Sequence, residues 1–427
     1  MNLSATAQAT LLLTCYFSKA SNEKAKPLTN VEWGRFALWL KDKNITPAEL
    51  LVSDPKPLLM GWYDAQIGEK RILALLSRGH SLALAIEKWH RAGLWVVTRS
   101  DPEYPKRLKS RLQTNSPPVL FGCGNKALLN GGGIAVVGSR NASDADLLFT
   151  KQLGAKAAAQ GIGIVSGGAR GVDETAMQGA MQAGGNVIGI MADSLLRAAT
   201  GVKWRKGLMA GNTVLVSPFY PEAGFNAGNA MARNKYIYCM ADTSFVVHSG
   251  KKGGTLNGAE ENLKKQWVPL WVKPTQDKEA ANEMLVKKGG RWSDSDIQHL
   301  DIASLLAAAE QSYASLQTDK QEDLFSIRVQ ELEIETNYVQ TLDAVKEVEE
   351  PVKDHGLETV DTPVDFYQLF IKELSQYAIE PISGADLPEK MGLHKTQVTD
   401  WLKRAIDDGY IKKLYRPVRY QYIKNRA

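Results

Sequence analysis

The stretch Ser166–Asp173, SGGARGVD, decides the fold of the central part of this 427-residue chain. It follows the apolar run 162–165 and precedes a helical pattern, so it predicts a turn from a strand into a helix. Glycines at Gly167, Gly168 and Gly171 allow a sharp turn and leave backbone N–H groups uncovered beside the helix N-terminus. Unpaired amides and the helix dipole both favour negative charge. The stretch therefore predicts a site for an anion such as a phosphate.

Short apolar runs alternate with helical patterns on both sides of this stretch, between Ile134 and Val272. The strand candidates are 134–138, 163–166, 187–191, 214–217, 244–248 and 268–272. Buried-type strands separated by helices predict a parallel sheet with right-handed crossovers. The predicted fold class is therefore α/β, a Rossmann-like parallel sheet flanked by helices.

Two further glycine-bearing turns follow predicted strands, at VVGSR (136–140) and HSGKKGGTLNGAEEN (248–262). Open parallel sheets bind ligands outside the carboxyl ends of their strands, so we expect the three turns to border one crevice. The segment NAMARNKYIY (229–238) adds further cations just before the next strand. Six cations are predicted to line an electropositive site: Arg140, Arg170, Arg233, Lys235, Lys251 and Lys252.

These motifs, in this order, resemble the DNA-processing protein A family, also called Smf. The resemblance spans residues 93 to 273 and includes DPEYPKRL (101–108), SGGARGVDETAMQGA (166–180) and FNAGNAMARNKYIYCMADTSFVVHS (225–249). It implies a non-catalytic, Rossmann-like domain that binds single-stranded DNA, protects incoming strands and loads a recombinase of the RecA type in natural transformation. It also implies a homodimer. The chain departs from the family pattern at Lys235, where a second arginine is usual.

The resemblance assigns DNA binding to the three turns and to the segment 229–238. Arg140 and Lys235 are implied as the main cations that contact phosphate or base. The full set is Gly138, Ser139, Arg140, Ser166, Gly167, Gly168, Arg170, Arg233, Asn234, Lys235, Gly254 and Thr255. The family implies no cofactor, no metal and no catalytic residue.

Other interpretations of the same residues stay open. The glycines of the first turn also suit a tight turn with close helix–strand packing, and Asp173 suits a helix N-cap. The alternative function is an enzyme of the same superfamily that binds or hydrolyses a nucleotide in this crevice. The signature of the phosphoribohydrolase group requires a glutamate three residues after the threonine, and this chain has Gly258 there.

Composition limits the class of protein. The net charge is only +5, so any surface that binds nucleic acid must be local. Cys15, Cys123 and Cys239 are far apart and odd in number, which favours a reducing compartment and no metal site. The run 9–17 lacks the basic residues and the cleavage site of a signal peptide, so it is predicted to be the first core helix. No apolar run is long enough to cross a bilayer, and we expect a cytoplasmic protein.

The pattern divides the chain into four parts. They are an N-terminal helical domain (1–92), the Rossmann-like domain (93–309), an acidic linker (310–361) and a winged-helix domain (362–427). The linker carries fourteen acidic residues against four basic ones. It contains QEDLF, in which Gln321, Leu324 and Phe325 resemble a motif that docks bacterial proteins on the DNA sliding clamp.

The winged-helix prediction rests on three helical patterns, at 364–374, 385–391 and 394–407, followed by a hairpin at 411–423. Apolar residues on the third helix are expected to pack inward. The cations expected to contact nucleic acid are Lys403, Arg404, Lys412, Lys413, Arg416 and Arg419. Whether this domain binds DNA or protein stays open in the sequence.

Overall fold

The computed structural model describes residues 3–18, 25–307, 366–384, 386–391, 395–415 and 418–423. They form two compact units, one before the acidic linker and one after it. The linker motif Gln321–Phe325 lies outside the described residues. The predicted four-part division of the chain stays a prediction. Within the described part of the chain, no helix is both long and apolar enough to cross a membrane.

In the described ranges 3–18 and 25–94, four α-helices precede the sheet: α1 (Ala5–Thr14), α2 (Asn30–Asp42), α3 (Glu69–Leu76) and α4 (Gly79–Arg91). Helix α2 begins with a capping box, in which Thr29 and Glu32 satisfy each other's backbone N–H groups. The predicted core helix at the start of the chain is confirmed as α1, and its leucines are buried. Short 3-10 helices lie at Pro47–Leu51, Lys56–Leu59, Gln113–Asn115 and Lys126–Asn130.

The N-terminal helices share a hydrophobic core with the sheet that follows. Trp89 of α4 is fully buried, and its ring centroid lies 4.9 Å from that of Phe121 in an edge-on arrangement. Phe17 and Tyr220 approach the same indole, with centroids 6.4 and 6.3 Å away. Aromatic pairs of this geometry add to the stability that burial alone provides. Residues before the sheet are therefore part of the same compact unit.

Among the described residues, nine strands form the main sheet: β1 (Trp95–Thr98), β2 (Val119–Gly124), β3 (Ile134–Val137), β4 (Ile164–Ser166), β5 (Val187–Ile190), β6 (Thr213–Ser217), β7 (Thr243–Val246), β8 (Leu270–Val272) and β9 (Arg291–Trp292). Their order across the sheet is β1-β2-β6-β5-β4-β3-β7-β8-β9. From β6 to β9 every neighbouring pair is parallel. The predicted sheet is confirmed for this part. The sheet is only mostly parallel, because β2 runs antiparallel to both β1 and β6.

Alternate residues of the strands fill two cores, one on each face of the sheet. On β3, Ile134 and Val136 belong to one core, while Ala135 and Val137 belong to the other. This follows from the two-residue period of a strand. Helices flank both faces: α5 (Lys106–Leu112), α6 (Asp144–Ala159), α7 (Val172–Gln182), α8 (Leu195–Thr200), α9 (Val202–Ala210), α10 (Ala227–Met240), α11 (Gly254–Lys265) and α12 (Asn282–Lys287).

The C-terminal unit contains α13 (Phe366–Tyr377), α14 (Leu387–Lys390), α15 (Lys395–Asp407) and strands β10 (Ile382–Ser383), β11 (Ile411–Leu414) and β12 (Arg419–Tyr422). The strands pair in the order β10-β12-β11, all antiparallel. Three helices and a terminal hairpin follow each other as predicted for a winged helix. Val398, Leu402 and Ala405 of α15 are buried in the core of this unit, as the helical pattern predicted.

Candidate nucleic-acid interface

The candidate site lies where the order of the strands reverses. Strands β3 and β7 are neighbours in the sheet, and the chain leaves them toward opposite sides of it. In open α/β sheets a crevice forms outside the carboxyl ends of the strands at such a switch point. The turns after β3, β4 and β7 meet there, as the sequence predicted.

A cavity of about 420 Å³ opens at this point. Its volume lies within the range of pockets that hold small molecules. The turns after β3, β4 and β7, the start of α11 and one side of α10 form its walls. Its lining residues are Val137, Gly138, Ser139, Arg140, Ala169, Asp173, Phe225, Ala227, Ala230, Met231, Arg233, Asn234, Tyr238, Gly250, Lys252, Gly253, Gly254 and Thr255.

The rim of the cavity combines a cation with an aromatic ring. The guanidinium carbon of Arg140 lies 5.3 Å from the ring centroid of Phe225, and both side chains are exposed. Phe225 keeps 63% of its surface in contact with solvent, which is unusual for a phenylalanine. Lys252 adds a second exposed cation to the lining. A positive charge and a free aromatic face suit a phosphate and an adjacent base.

The floor of the cavity contains a buried ion pair. Arg233 is 3% exposed and donates hydrogen bonds from Nη1 to the carbonyl oxygens of Gly167 and Ile190. Its Nη2 lies 4.0 Å from Oδ2 of Asp173, which is also buried. Burial raises the pKa of Asp173 above its usual value, and the nearby guanidinium opposes this shift. The same burial lowers the pKa of Arg233.

Hydrogen bonds between the turns hold the walls together. Thr255 donates from Oγ1 to the carbonyl of Gly138 over 2.9 Å, and the Ser139 N–H donates to the carbonyl of His248 over 2.8 Å. Asn234 donates from Nδ2 to the carbonyl of Gly254, also over 2.9 Å. The cavity is therefore braced by contacts from elements that are far apart in sequence.

Two helices, α7 and α11, begin at the cavity. Helix α7 begins after Gly171, and Asp173 in its first turn lines the cavity. Helix α11 begins after Gly253, and its first turn contains no acidic residue. Gly253, Gly254 and Thr255 all line the cavity. At α11 the positive end of the helix dipole, together with the rim cations, favours an anion, whereas Asp173 and Glu174 already place negative charge in the first turn of α7.

Seven of the twelve residues predicted to bind DNA line the cavity: Gly138, Ser139, Arg140, Arg233, Asn234, Gly254 and Thr255. Arg233 does so from the buried floor rather than from the surface. The role of these residues in DNA binding stays a prediction.

The other five predicted residues do not line the cavity. Ser166 is buried and donates from Oγ to the carbonyl of Val136, 2.6 Å away, so it braces the strands. Gly167 packs under Arg233, where a Cβ atom would overlap the guanidinium. Gly168 has φ +63°, a left-handed conformation that favours glycine, and its Cα faces Met191 and Trp204.

Lys235 and Arg170 are also outside the cavity lining. Lys235 follows Arg233 by two positions on α10, which turns it to the opposite side of the helix. Its Nζ lies 5.2 Å from the ring centroid of Tyr236. Arg170 is exposed and donates to Oδ1 of Asn141, 2.9 Å away, on the turn that carries Arg140. The predicted convergence of all six cations on the crevice was therefore wrong, since only Arg140, Arg233 and Lys252 line the cavity. Helix geometry turns Lys235 away, whereas Arg170 and Lys251 are loop residues that are paired with other side chains.

Two further predictions need correction. Asp173 is not the N-cap of α7, because Gly171 is the N-cap residue and Asp173 lies in the first turn. Its Oδ1 accepts a hydrogen bond from the Gly138 N–H, 3.3 Å away, across to the neighbouring turn. Lys251 also lies outside the lining, since its Nζ pairs with Oε2 of Glu279 over 3.0 Å.

The C-terminal cations are placed as follows. Lys403 and Arg404 are exposed on α15. The guanidinium carbon of Arg404 lies 3.8 Å from the ring centroid of Tyr367, and its Nε lies 3.5 Å from Oδ2 of Asp408. The pairing of β11 with β12 puts Lys412 on the face of the hairpin that carries Arg419, and Lys413 on the other face. Arg416 lies outside the described residues. Their contact with nucleic acid stays a prediction.

Phe225 and Tyr238 are among the cavity residues that the sequence did not predict. Phe225 precedes α10 in a loop, and Tyr238 stands among the buried residues of that helix. The sequence shows only a phenylalanine after Gly224, and its exposure becomes visible only in the structure. Tyr238 carries no signal, because a tyrosine in a buried helical pattern is ordinarily a core residue.

Comparison with known proteins shows that the central region of the chain matches a known family. The family model of DNA recombination-mediator protein A matches residues 95–302, which contain all the lining residues of the cavity. This region belongs to that family.

DNA processing protein DprA of Bacillus subtilis (strain 168) is 28% identical over 227 residues, which are 51% of this chain and 74% of that protein. Protein Smf of Synechocystis sp. is 23% identical over 247 residues, 54% of this chain and 61% of that protein. The two matches therefore cover only about half of this chain.

The X-ray structure of DNA processing protein A (DprA) from Streptococcus pneumoniae superposes with a TM-score of 0.52 at 19% identity. The match covers 70% of this chain and 99% of that one. At this identity the likeness concerns the fold. The mostly parallel sheet with flanking helices is the fold of the DNA recombination-mediator protein A family.

Proposed function

We propose that this chain is a DNA-processing protein that binds single-stranded DNA in the cavity at the switch point, without catalysing a reaction. Membership of the DNA recombination-mediator protein A family supports a role in DNA processing, because the relatives carry that function in their names. The exposed cations and the exposed aromatic ring at the rim of the cavity support a polynucleotide strand as its ligand. The proposal extends to recombination and to the processing of incoming DNA.

The observation that carries the proposal is the pairing of Arg140 with Phe225 at the rim. The guanidinium and the exposed ring lie 5.3 Å apart, and both residues line the cavity together with the N-terminus of α11. A phosphate contacts the guanidinium and the helix ends, and a base stacks on the open ring face. A duplex offers no such free base face, so this combination favours a single strand.

The charge of the site fits a backbone that passes over the rim. Arg140 and Lys252 are exposed there, whereas Asp173 lies on the floor beside Arg233. A strand that crosses the rim meets the two cations and the N-terminus of α11, whose first turn contains no acidic residue. Its affinity is expected to fall with salt, because each neutralised phosphate releases counterions.

The test is the affinity of the full chain for a fluorescent oligothymidine, measured by anisotropy at several salt concentrations. Arg140→Ala combined with Lys252→Ala is expected to weaken binding more than tenfold, which is about 1.4 kcal/mol or more. The slope of log K against log salt should become shallower by about 0.7 for each phosphate that the variant no longer neutralises.

Two control variants sharpen this test. Lys265→Ala removes an exposed cation at the far end of α11, about 16 Å from the cavity along the helix axis, and should leave the affinity unchanged. Arg140→Lys keeps the charge but loses the planar guanidinium beside Phe225, and is expected to give an intermediate affinity. Equal affinities for wild type and the double alanine variant, with the fold intact by circular dichroism, would refute the proposal.

The alternative predicted from the sequence, an enzyme that binds or hydrolyses a nucleotide, uses the same cavity. In the structure Gly258 packs closely, since a Cβ atom would lie 3.2 Å from Cβ of Asn234 and 3.3 Å from the ring of Tyr238. A glutamate at this position therefore requires its neighbours to move. A free mononucleotide that raises the melting temperature more than an oligothymidine does would favour the enzyme.

The predicted partners belong to the proposal as well. We propose a recombinase of the RecA type and the DNA sliding clamp as partners, and a homodimer as the oligomeric state. The clamp motif, Gln321, Leu324 and Phe325, lies outside the described residues. Deletion of Leu324 and Phe325 should abolish clamp binding in a pull-down, and retained binding would remove the clamp from the proposal.

A further inference from the structure

Helix α9 carries two large apolar side chains that are almost fully exposed to solvent. Val202 keeps 85% of its surface exposed, and Met209 keeps 78%. Arg205 and Lys206 lie between them along the helix and are exposed as well. Positions i, i+3, i+4 and i+7 share one side of a helix, so the four residues form one continuous surface. This surface is called the α9 face below.

The opposite side of α9 holds the helix firmly against the sheet. Trp204 is 3% exposed and belongs to the core that the first helices share with the sheet. Gly207 packs so closely that a Cβ atom there would lie 2.2 Å from Oγ1 of Thr213. The α9 face is therefore the outward side of a well-packed helix.

The positive charge of the α9 face is not balanced by carboxylates within the described part of the chain. The stretch 195–210 contains four basic residues and no acidic one. Nζ of Lys203 pairs with Oε2 of Glu174 over 2.8 Å, whereas the side chains of Arg205 and Lys206 have no ion pair or hydrogen bond with a described residue. Exposed apolar groups next to arginine and methionine are typical of protein interfaces. The α9 face thus suits an acidic segment that also carries apolar side chains.

The chain contains such a segment in residues 310–332, the first part of the predicted acidic linker. This segment has five acidic residues and two basic ones. Its acidic pair 322–323 directly precedes its apolar pair 324–325. Four extended residues span about 10 Å, and the seven positions between the ends of the α9 face also rise by about 10 Å along the helix. The segment therefore complements the α9 face in charge, in apolar groups and in length.

The segment starts close enough to reach α9. Leu305 belongs to the same core as Trp204, so both lie on one face of the sheet. The carbonyl of Leu305 accepts a hydrogen bond from Nε1 of Trp271 in β8 over 3.3 Å, whereas α9 packs on β6. Five strand spacings separate β8 from β6, which is about 24 Å. Leu324 follows Ala307, the last described residue before the segment, by 17 positions, which reach about 55 Å when extended.

We propose that residues 310–332 dock on the α9 face of the same molecule. The carboxylates of the pair 322–323 bind Arg205 and Lys206, and the apolar pair 324–325 covers the exposed apolar side chains of the face. The contact stands independently of strand binding in the cavity. Its consequence concerns the proposed clamp motif, because docking withholds Leu324 and Phe325 from any partner protein until the segment is released.

The test is carbodiimide cross-linking of the full chain at low salt, which joins a lysine amine directly to a carboxylate in contact with it. Mass spectrometry is expected to find Lys206 joined to one of the carboxylates 322–323. The ion pair of Lys203 with Glu174 is the internal positive control, because the structure places these two groups in contact. Lys265 is exposed on α11, which packs on the other face of the sheet, and should not be joined to the segment.

Two variants measure what holds the segment. Arg205→Glu should lower the yield of the Lys206 cross-link about threefold to fivefold, because an exposed ion pair is replaced by repulsion. Leu324→Ala combined with Phe325→Ala should also lower it, since the apolar part of the contact is lost. Lys265→Glu makes the same charge change away from α9 and should leave the yield unchanged. Circular dichroism verifies that each variant is folded.

Three results would overturn the inference. The first is the absence of any cross-link from Lys206 to residues 310–332 in a sample where Lys203 is joined to Glu174. The second is a hybrid mass in a mixture of ¹⁴N- and ¹⁵N-labelled protein, which would show that the segment comes from a second copy. The third is an Arg205→Glu variant that keeps the Lys206 cross-link but binds oligothymidine more weakly, because the α9 face would then belong to the strand.

Discussion

Substitution of Gly167 by alanine tests whether the floor of the cavity is built as described. A Cβ atom on Gly167 would overlap the guanidinium of Arg233, which donates to the carbonyls of Gly167 and Ile190. Arg233 is only 3% exposed, so its guanidinium cannot move away without displacing Asp173 or the turn after β4. The substitution must therefore break the buried ion pair or move the turn.

The expected magnitude follows from that burial. Breaking a buried ion pair by disturbing one partner costs about 3–5 kcal/mol, because the other charge stays buried without compensation. For a unit of this size, 1 kcal/mol corresponds to about 2 °C in melting temperature, so Gly167→Ala should lower it by roughly 6–10 °C. Affinity for oligothymidine should also fall, since either change displaces a part of the cavity lining, Arg233 or the turn after β4.

The assay is thermal unfolding of the full chain followed by circular dichroism. The matched control is Gly224→Ala, in the loop before α10, where a Cβ atom meets no other atom within 4 Å. This control should unfold within about a degree of wild type, because surface substitutions away from special features change stability little. A Gly167→Ala protein as stable as wild type would show that the guanidinium does not pack against this glycine, and the description of the floor would be wrong.

Two further predictions concern the framework around the site. Arg71 holds the pKa of Glu32 at about 2, below its ordinary value of 4.5, so this ion pair contributes stability above pH 4.5 that is lost as the pH falls through about 2. Glu32→Gln should therefore lower the free energy of unfolding by an amount on the order of 1 kcal/mol at neutral pH, as measured by urea titration. The difference in stability between the variant and wild type should become smaller in acid. A difference that does not change with pH would contradict this prediction. Arg111 donates to the carbonyls of Cys239 and Ala241 at the end of α10, over 2.9 and 2.6 Å. Arg111→Met should destabilise the protein by about 2–3 kcal/mol in chemical denaturation, and Arg111→Lys should recover part of the loss, whereas two equally stable variants would refute the capping role.

Local patterns in the sequence were enough to predict the strands of the parallel part of the sheet. The run 187–191 became β5 (Val187–Ile190), since a short apolar run between helical patterns has few other structures available. The antiparallel pairing of β2 with β6 was not predicted. It depends on contacts between residues such as Phe121 and Ser217, almost a hundred positions apart, and no local pattern encodes it.

The candidate site was predictable where a turn follows a strand. Gly138 and Arg140 were predicted because the carboxyl ends of parallel strands meet at one edge of the sheet. The prediction that Lys235 lines the cavity was wrong. The sequence shows that Lys235 is near Arg233 along the chain, but it does not show which side of α10 faces the cavity. Tyr238 was missed because a tyrosine in a buried helical pattern is ordinarily a core residue, and the sequence does not show which side of α10 lines the cavity.

The shared core of the first helices and the sheet has a practical consequence for anyone who wishes to isolate a minimal DNA-binding fragment. A cut just before β1 would remove the indole of Trp89 and leave Phe121 and Tyr220 facing water. Loss of a buried tryptophan alone costs about 3–5 kcal/mol, a large part of the stability of a typical domain. Truncation at the edge of the family region would thus yield an unstable polypeptide, and its failure to bind a strand would say nothing about the cavity. Studies of the isolated site should keep all the helices from Ala5 onward.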